Sequence, residues 1–347
     1  MDTIAIALSG GVDSLMSLML LRESGADVMA VHALFLPEPQ AFLIEGLRET
    51  CADLEVPFAL VDLRAEFEEL VVAPFVRAYQ EGLTPNPCAA CNPAIKFGLL
   101  MDRVRALGAG RLATGHYACL EERPWGPALF RGLDPAKDQS YFLSRVPRER
   151  FARVVFPLAG WTKDRVRQAM AGHGITPPAG RESQEVCFIP EDYREFLRGR
   201  GVRLGGPGPI VLADGRAVGR HEGLWNHTLG QRKGLGVAWS EPLYVTGKDF
   251  GGNRLVVGPR PEAMAVGCRT ERPNLLCPPG DWPDEVLVQT IYRQRPEAAR
   301  VSVDGDGMTV VFPAPRPIPT PGQVAAVYSA DGQVLAGAVI REALHAA

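Results

Sequence analysis

The chain has 347 residues, seven cysteines and a formal net charge of −3. Its length is too great for one ordinary hydrophobic core and indicates two or three domains. Hydrophobic residues make up 46% and charged residues 22%, as in a soluble globular protein. A mildly acidic chain is not one that coats nucleic acid or lies on an anionic membrane, so any RNA site must be local.

Cysteine usage and the amino-terminal sequence predict an intracellular protein. The cysteines are odd in number and scattered, which argues against the disulfide framework of a small secreted protein. The opening MDTIAIALSGG has neither the basic region nor the cleavage site of a signal peptide. No apolar run approaches the ~18 residues of a membrane-spanning helix. We therefore expect a cytoplasmic protein with no membrane partner and no DNA partner.

Strands and helices alternate over roughly the first 120 residues. The predicted strands are 3–8, 28–36, 57–63 and 111–116. The predicted helices are 14–24, 41–54, 66–82 and 94–108. Pro74 is expected to break or kink the third helix, because a proline removes a backbone donor. This alternation predicts a doubly wound α/β domain around a parallel sheet.

The pattern then changes. Three further helices are predicted at 142–160, 162–174 and 190–201. Beyond residue 201 the chain is rich in glycine, and Asp-Gly pairs mark hairpins between apolar, alternating segments. These segments predict a small barrel or sandwich. We place domain boundaries near residues 198 and 260.

A phosphate-binding loop is predicted at SGGVDS, residues 9–14, between the first strand and the first helix. Its glycines let the backbone approach an anion, and the N–H groups that open the helix point at that anion. Its serines add hydroxyl donors, and the Asp13 carboxylate suits a Mg²⁺ ion that bridges phosphates. The stretch lacks the lysine of a P-loop and the G-x-G-x-x-G of a dinucleotide site.

A pair of cysteines lies in TPNPCAACNPAIKFG, residues 84–98, ahead of a predicted helix. A helix N-terminus lowers a thiol pKa, and Lys96 would add to that effect at Cys91, which makes Cys91 a candidate nucleophile. The spacing also suits a redox pair or half of a zinc site, and Cys88 can equally be a small apolar filler. Cys187 lies in SQEVCFIPEDY, and the sequence alone does not bring it to Cys91.

Eight segments occur in one order along nearly the whole chain: SGGVDS, TPNPCAACNPAIKFG, ATGHYA, KDQSYFLSR, SQEVCFIP, VGRHEGLWNHTLGQRKGLG, GGNRLVVG and TPGQVAAVY. In this ordered set the chain resembles the tRNA-specific 2-thiouridylases of the PP-loop ATP pyrophosphatase superfamily. The resemblance implies a doubly wound, adenine nucleotide α-hydrolase-like catalytic domain at 1–198. It also implies a small central tRNA-binding domain at 199–260 and a C-terminal β-barrel at 261–347.

The resemblance implies an ATP-dependent tRNA sulfurtransferase that uses ATP and Mg²⁺. ATP would adenylate the C2 oxygen of the wobble uridine in the anticodon stem-loop, and sulfur from a donor protein or from sulfide would replace that oxygen. Cys187 matches the cysteine that carries sulfur as a persulfide. Cys91 matches the second catalytic cysteine, which releases the sulfur by forming a disulfide or attacks directly.

The resemblance also assigns binding residues. The ATP site would comprise Ala7, Leu8, Ser9, Gly10, Gly11, Val12, Asp13, Ser14 and Gly115. The tRNA contacts would comprise Asn86, Pro87, Cys88, Lys137, Asp138, Gln139 and Tyr292. From its sequence context, His116 is expected to be a core histidine rather than a ligand.

Two departures from the family pattern matter. Cys88 stands where the family usually has an aspartate that assists proton transfer, and Ile291 precedes Tyr292 where the family usually has arginine. Cys88, Cys91 and Cys187 could therefore bind three irons of a [4Fe-4S] cluster, with the fourth iron open to hydrosulfide.

Two other functions fit parts of the sequence. An adenylating ligase of the same superfamily would need the phosphate loop but not the cysteines, because its nucleophile is an amine. A non-catalytic tRNA- or cluster-binding paralogue would bind RNA without turning over ATP.

Overall fold

A computed structural model describes residues 2–37, 40–179, 186–189 and 192–345. Parts of SQEVCFIP and the start of the helix predicted at 190–201 lie outside these residues, whereas Cys187 lies within them. In the described part of the chain, no helix is long and apolar enough to cross a bilayer.

The amino-terminal region is built on a five-stranded parallel sheet with the order β3-β2-β1-β4-β7. These strands are β1 (Ile4–Ala7), β2 (Val28–Leu34), β3 (Phe58–Asp62), β4 (Arg111–Ala113) and β7 (Val154–Val155). An antiparallel hairpin, β5 (Ala118–Arg123) and β6 (Gly126–Arg131), follows β4. Alternate β1 side chains enter two different apolar clusters, Ala5 on one face and Ile4 and Ile6 on the other. The sheet is therefore covered on both faces, as predicted.

Helices connect these strands and cover them. They are α1 (Val12–Glu23), α2 (Ala41–Asp53), α3 (Arg64–Phe67), α4 (Ala73–Gln80), α5 (Pro87–Cys91), α6 (Met101–Ala106), α7 (Ser140–Leu143), α8 (Arg148–Phe151), α9 (Lys163–His173) and α10 (Tyr193–Gly199). The strand order reverses between β1 and β4, so the segments that follow these two strands border the crevice where doubly wound sheets bind ligands.

Two segments of π-helix join helices that would otherwise be separate. Glu68–Val72 links α3 to α4, and Asn92–Leu100 links α5 to α6. Pro74 therefore does not break its helix, which was one of the two predicted outcomes, because the wider i→i+5 turn ahead of it accommodates the missing backbone donor. In the second case, the helix predicted to begin near Pro93 begins at Pro87 instead.

The single helix predicted at 142–160 is wrong. This stretch forms the short helices α7 and α8 and the edge strand β7. Helical winding stops after Leu143 and starts again only after Pro147, the N-cap of α8, and β-branched Val154 and Val155 pair with β4.

The second half of the chain forms two further sheets. A four-stranded sheet contains β8 (Gly208–Val211), β9 (Ala217–His221), β10 (Tyr244–Asp249) and β11 (Arg254–Gly258). A larger antiparallel sheet contains β12 (Met264–Thr270), β13 (Asn274–Leu275), β14 (Val286–Gln289), β15 (Glu297–Asp304), β16 (Gly307–Pro317), β17 (Val324–Tyr328) and β18 (Val334–Leu344). Pairing of β12 with both β16 and β18 closes this sheet into the predicted barrel.

The barrel packs directly against the helix that carries the cysteine pair. The Gln323 side chain donates to the carbonyl oxygen of Thr84 at 2.8 Å, just ahead of α5. The hydroxyl of fully buried Tyr141 donates to the carbonyl oxygen of Val324 at 3.0 Å. The first contact fixes the start of α5 against the C-terminal barrel, and the second fixes α7 against it.

Candidate active site

The phosphate loop adopts the conformation that its glycines permit. Gly10 has a φ of +79°, a left-handed conformation that favours glycine, and Gly11 is the extended residue that precedes α1. The Ser14 hydroxyl donates to the carbonyl oxygen of Gly11 at 2.9 Å and accepts from the backbone N–H of Ser9 at 3.2 Å. Ala7 and Leu8 precede this loop, at the end of β1. The loop thus presents the N-terminus of α1, a site that favours anions.

An ion pair between buried Lys163 and partly exposed Asp13 holds the acidic residue of this loop. The Lys163 ammonium lies 2.8 Å from Oδ1 and 2.9 Å from Oδ2 of Asp13, and the hydroxyl of Tyr117 donates to Oδ1 at 2.6 Å. The Lys163 side chain is only 4% exposed. Both carboxylate oxygens already accept strong bonds beside a cation, so this arrangement does not fit Asp13 as a Mg²⁺ ligand.

Sequence reasoning missed Lys163, although a signal was present. Thr162 caps α9 by accepting from the backbone N–H of Arg165, which makes Lys163 the first residue of that helix. The helix dipole disfavours a cation at this end, so a lysine there indicates a specific anionic partner.

Gly115 brings the end of β4 against the phosphate loop. A Cβ at this position would lie 3.0 Å from the backbone carbon of Asp13 and 3.0 Å from the backbone nitrogen of Ser14. A larger residue would require one of the two backbones to move by a few tenths of an ångström, so glycine suits this close approach. This contact lies at the predicted ATP residue Gly115.

The amino-terminal end of α5 differs from the prediction. Asn86 caps the helix, with its Oδ1 accepting from the backbone N–H of Ala89 at 3.1 Å, and Pro87 and Cys88 occupy the first two helical positions. Cys91 lies in the fifth position rather than at the N-terminus. The expected lowering of its thiol pKa is therefore wrong: burial raises the pKa of Cys91 to about 12, although Lys96 acts in the expected direction.

The structure brings the two catalytic cysteines predicted from the sequence into one site. The Cys91 thiol interacts electrostatically with both Cys88 and Cys187, and Lys96 lowers the pKa of all three thiols. Burial among protein atoms outweighs the lysine at each, so the pKa values of Cys88 and Cys187 are also raised. Cys91 is buried, whereas Cys187 has enough protein around it to raise its pKa yet keeps part of its surface exposed to solvent. Phe188 fixes the position of Cys187, because its ring packs at 5.2 Å from that of Phe75.

His116 is buried, as predicted. It contacts Lys96, which together with Cys88, Cys91 and Cys187 forms what we call the thiol site. Its Nδ1 lies 2.8 Å from Oγ1 of Thr114 and its Nε2 lies 3.4 Å from Nζ of Lys96. Burial holds the pKa of His116 well below its ordinary value, and Lys96 lowers it further. The segment after β4 therefore contacts the phosphate loop through Gly115 and Tyr117 and the thiol site through His116.

Family models match three consecutive parts of the chain. The model described as tRNA methyl transferase HUP domain matches residues 2–191. The tRNA methyl transferase PRC-barrel domain matches 194–259, and the Aminomethyltransferase beta-barrel domain matches 266–340. The tRNA-specific 2-thiouridylase MnmA of Nitratidesulfovibrio vulgaris (strain DSM 19637 / Miyazaki F) is 56% identical over 97% of this chain and 98% of that protein. The chain belongs to the tRNA-specific 2-thiouridylase family.

Other matches differ in strength. The tRNA-specific 2-thiouridylase MnmA of Lawsonia intracellularis (strain PHE/MN1-00) is 43% identical over 97% of this chain and 98% of that protein. A solved structure, the U34-tRNA thiolase NcsA from Methanococcus maripaludis with its [4Fe-4S] cluster, has 16% identity and a TM-score of 0.38 over 57% of this chain and 65% of that chain. A likeness of that size carries no inference.

Two of the tRNA contacts that the thiouridylase resemblance implied have partners inside the protein. Asp138 is buried, and its carboxylate accepts from the backbone N–H groups of Gly132 and Ser140 and from the Ser140 hydroxyl. The side-chain oxygen of Gln139 accepts from the backbone N–H of Tyr117 at 3.1 Å. Gln139 therefore braces the segment after β4, whereas Asp138 fixes the connection between β6 and α7.

Two further predicted contacts, Lys137 and Tyr292, are partly exposed. Lys137 lies in the turn ahead of Asp138. The Tyr292 ring packs with its centroid 4.3 Å from that of Phe142, and the Arg293 guanidinium lies 5.4 Å from its centroid. Tyr292 thus belongs to an aromatic cluster at the boundary between barrel and catalytic region.

The described cysteines do not form a metal site. Over residues 2–37, 40–179, 186–189 and 192–345, no group of three or more His, Cys, Asp and Glu side chains is arranged to hold a metal ion. Ligation of a [4Fe-4S] cluster by Cys88, Cys91 and Cys187 therefore stays a prediction.

Proposed function

We propose that the chain is an ATP-dependent tRNA-uridine 2-sulfurtransferase that converts the wobble uridine of the anticodon to 2-thiouridine. The observation that carries this proposal is the meeting of Cys91 and Cys187, which are distant in sequence, in one site that includes Lys96. The relatives named tRNA-specific 2-thiouridylase, matched along nearly their whole length, support the same activity.

ATP would bind where β1 meets α1, with its phosphates against the N–H groups of Val12, Asp13 and Ser14. Lys163 would face the same phosphates from α9. We assign Asp13 the task of holding Lys163, since their ion pair already uses both carboxylate oxygens. Mg²⁺ would then reach the site with ATP, coordinated by phosphate oxygens and water.

Sulfur transfer would use the two cysteines in sequence. The C2 oxygen of uridine displaces pyrophosphate from ATP and becomes an adenylate. The terminal sulfur of a Cys187 persulfide attacks C2, and AMP leaves with the original oxygen. Cys91 then attacks Sγ of Cys187, which releases 2-thiouridine and forms a Cys91–Cys187 disulfide. A cellular dithiol supplies the two electrons that reduce this disulfide, and a persulfide-bearing donor protein, or sulfide with an oxidant, reloads Cys187.

We favour this thiol route over a cluster route because the described cysteines differ in exposure and do not form a metal group. Cys88 would then serve as a filler at the start of α5. The flipped base would contact Asn86, Pro87, Lys137 and Tyr292 at the edge of the site, as base-modifying enzymes require an extruded nucleotide.

Nucleoside analysis tests the proposal. Purified protein, tRNA, ATP and a sulfur donor should yield 2-thiouridine together with pyrophosphate. Cys187→Ser should still release pyrophosphate but form less than about 1% of the 2-thiouridine, since a serine cannot carry transferable sulfur. Normal thiolation by Cys187→Ser would overturn the sulfur role. A mass gain matching a methyl group, or pyrophosphate release that depends on an amine, would overturn the activity.

A further inference from the structure

The thiol site contains one residue with a positive charge, Lys96, that has no role in the steps of sulfur transfer described above. Lys96 follows Cys91 along the same continuous helix, inside the π-helical segment Asn92–Leu100. Hydrogen bonds of the i→i+5 type bring residues five apart onto nearly the same face, whereas an α-helix would turn them apart. The π-helical winding therefore aims Lys96 and Cys91 at one site, and such segments recur at functional positions.

His116 holds this lysine. The Nε2 of His116 lies 3.4 Å from the ammonium of Lys96, so Nε2 accepts and the ring proton resides on Nδ1, facing Oγ1 of Thr114 at 2.8 Å. The ring is walled by apolar side chains, with the centroids of Phe97 and Phe156 at 5.7 and 6.0 Å. A neutral imidazole accepts a hydrogen bond from the ammonium without neutralising its positive charge.

The same lysine acts on all three thiols. Its charge favours the thiolate at Cys88, Cys91 and Cys187. Desolvation disfavours the thiolate at each position, and the Lys96 cation offsets part of the free energy needed to form a negative charge on sulfur. A persulfide or thiolate that forms during transfer carries such a charge.

We propose that Lys96, positioned by His116, is the cation that balances negative charge on sulfur at Cys91 and Cys187. This inference rests on the proposed function for its place in the reaction. The presence of the cation beside the thiols can nevertheless be tested without tRNA or ATP.

The test compares two alkylating reagents of similar size, anionic iodoacetate and neutral iodoacetamide. The rate of each at exposed Cys187 is measured by peptide mass spectrometry. The ratio of the iodoacetate rate to the iodoacetamide rate reports local charge. A nearby cation raises this ratio, whereas a purely structural effect changes both rates together. Lys96→Met should lower the ratio about three- to tenfold, the size of an effect of roughly 1 kcal/mol between charges in a partly solvated site.

Three further variants sharpen the result. Lys96→Arg keeps the positive charge and should retain most of the ratio. His116→Phe should lower it, because Lys96 loses its acceptor. Lys233→Met, which removes an exposed lysine from the central region, should leave it unchanged. Lys96→Gln serves as a second neutral variant should Lys96→Met fail to fold.

An unchanged ratio in folded Lys96→Met or Lys96→Gln would overturn the inference. An equal fall in Lys233→Met would also overturn it, because the effect would then reflect net charge. Failure of the wild type to form 2-thiouridine would refute the proposed function while leaving this ratio measurable, so the two failures are distinguishable.

Discussion

The ammonium of Lys163 contacts both carboxylate oxygens of Asp13, at 2.8 and 2.9 Å, and so connects the first turn of α9 to the phosphate loop. Neither residue is fully exposed, with side-chain exposures of 4% for Lys163 and 33% for Asp13. The loop conformation therefore depends on a residue distant in sequence. The same contact keeps the Lys163 ammonium beside the loop where we expect the phosphates to bind.

Removing this lysine should damage ATP use more than folding. Lys163→Met leaves Asp13 with the Tyr117 hydroxyl, and we expect pyrophosphate release to fall at least about tenfold because a phosphate-facing cation is lost. Urea unfolding should show a loss of about 1–3 kcal/mol, reduced by the partial exposure of Asp13. In a double-mutant cycle, Asp13→Asn added to Lys163→Met should cost little further stability. Additive losses would contradict the coupling.

The close approach at Gly115 predicts a second effect on ATP. Gly115→Ala would push its Cβ to 3.0 Å from the backbone of Asp13 and Ser14, so the loop must shift. We expect the Kd for ATP, measured by equilibrium dialysis, to rise at least about tenfold, since the loop's N–H groups would no longer converge. Gly172→Ala is the matched control: it lies in α9 with open space around it and should preserve or slightly increase stability. Equal ATP affinity in Gly115→Ala would refute the prediction.

The raised pKa of Cys91 predicts how its reactivity varies with pH. The thiol is protonated near pH 8, because its pKa rises from 9.0 to about 12 in the folded protein. Iodoacetamide labelling of Cys91 should therefore accelerate about tenfold per pH unit between pH 8 and 11. The same shift stabilises the folded protein below pH 9, and that contribution is lost as the pH rises toward 12. A labelling rate that levels off near pH 9 would contradict the raised pKa.

Replacing Cys88 distinguishes thiol chemistry from cluster chemistry. Cys88→Ser should retain 2-thiouridine formation within about threefold, because this residue neither carries nor releases sulfur in the proposed route. Wild-type protein purified without oxygen should be colourless, iron-free and active. Brown protein with near-stoichiometric iron and sulfide, together with loss of activity in Cys88→Ser, would instead establish a cluster.

The sequence predicts much of the fold because local signals agree with it. Alternating strands and helices predict the parallel sheet. Asp-Gly pairs mark the turns between β8 and β9 and between β17 and β18, where Gly215 and Gly332 adopt positive φ. The helix predicted at 142–160 is wrong because pairing with β4 overrides its helical pattern at Val154 and Val155.

The arrangement of the site is only partly predictable from the sequence. Motifs predict the phosphate loop and both cysteines, but not that Cys91 lies inside a helix, because the π-helical continuation past Pro93 has no clear local signal. The partners of Asp13 and Lys96 are harder to predict for a different reason. Lys163 and His116 reach them through tertiary contacts, and a lysine at the start of α9 indicates an anionic partner without saying which residue it is.

The central claim, that Cys91 and Cys187 act together on the transferred sulfur, is tested most directly by a single turnover without reductant. Protein loaded with a Cys187 persulfide is mixed with ATP and tRNA, digested under non-reducing conditions, and mapped by mass spectrometry alongside nucleoside analysis. We predict a disulfide-linked peptide pair containing residues 91 and 187, formed in equal amount to 2-thiouridine. Full formation of 2-thiouridine while both thiols remain free would contradict the account.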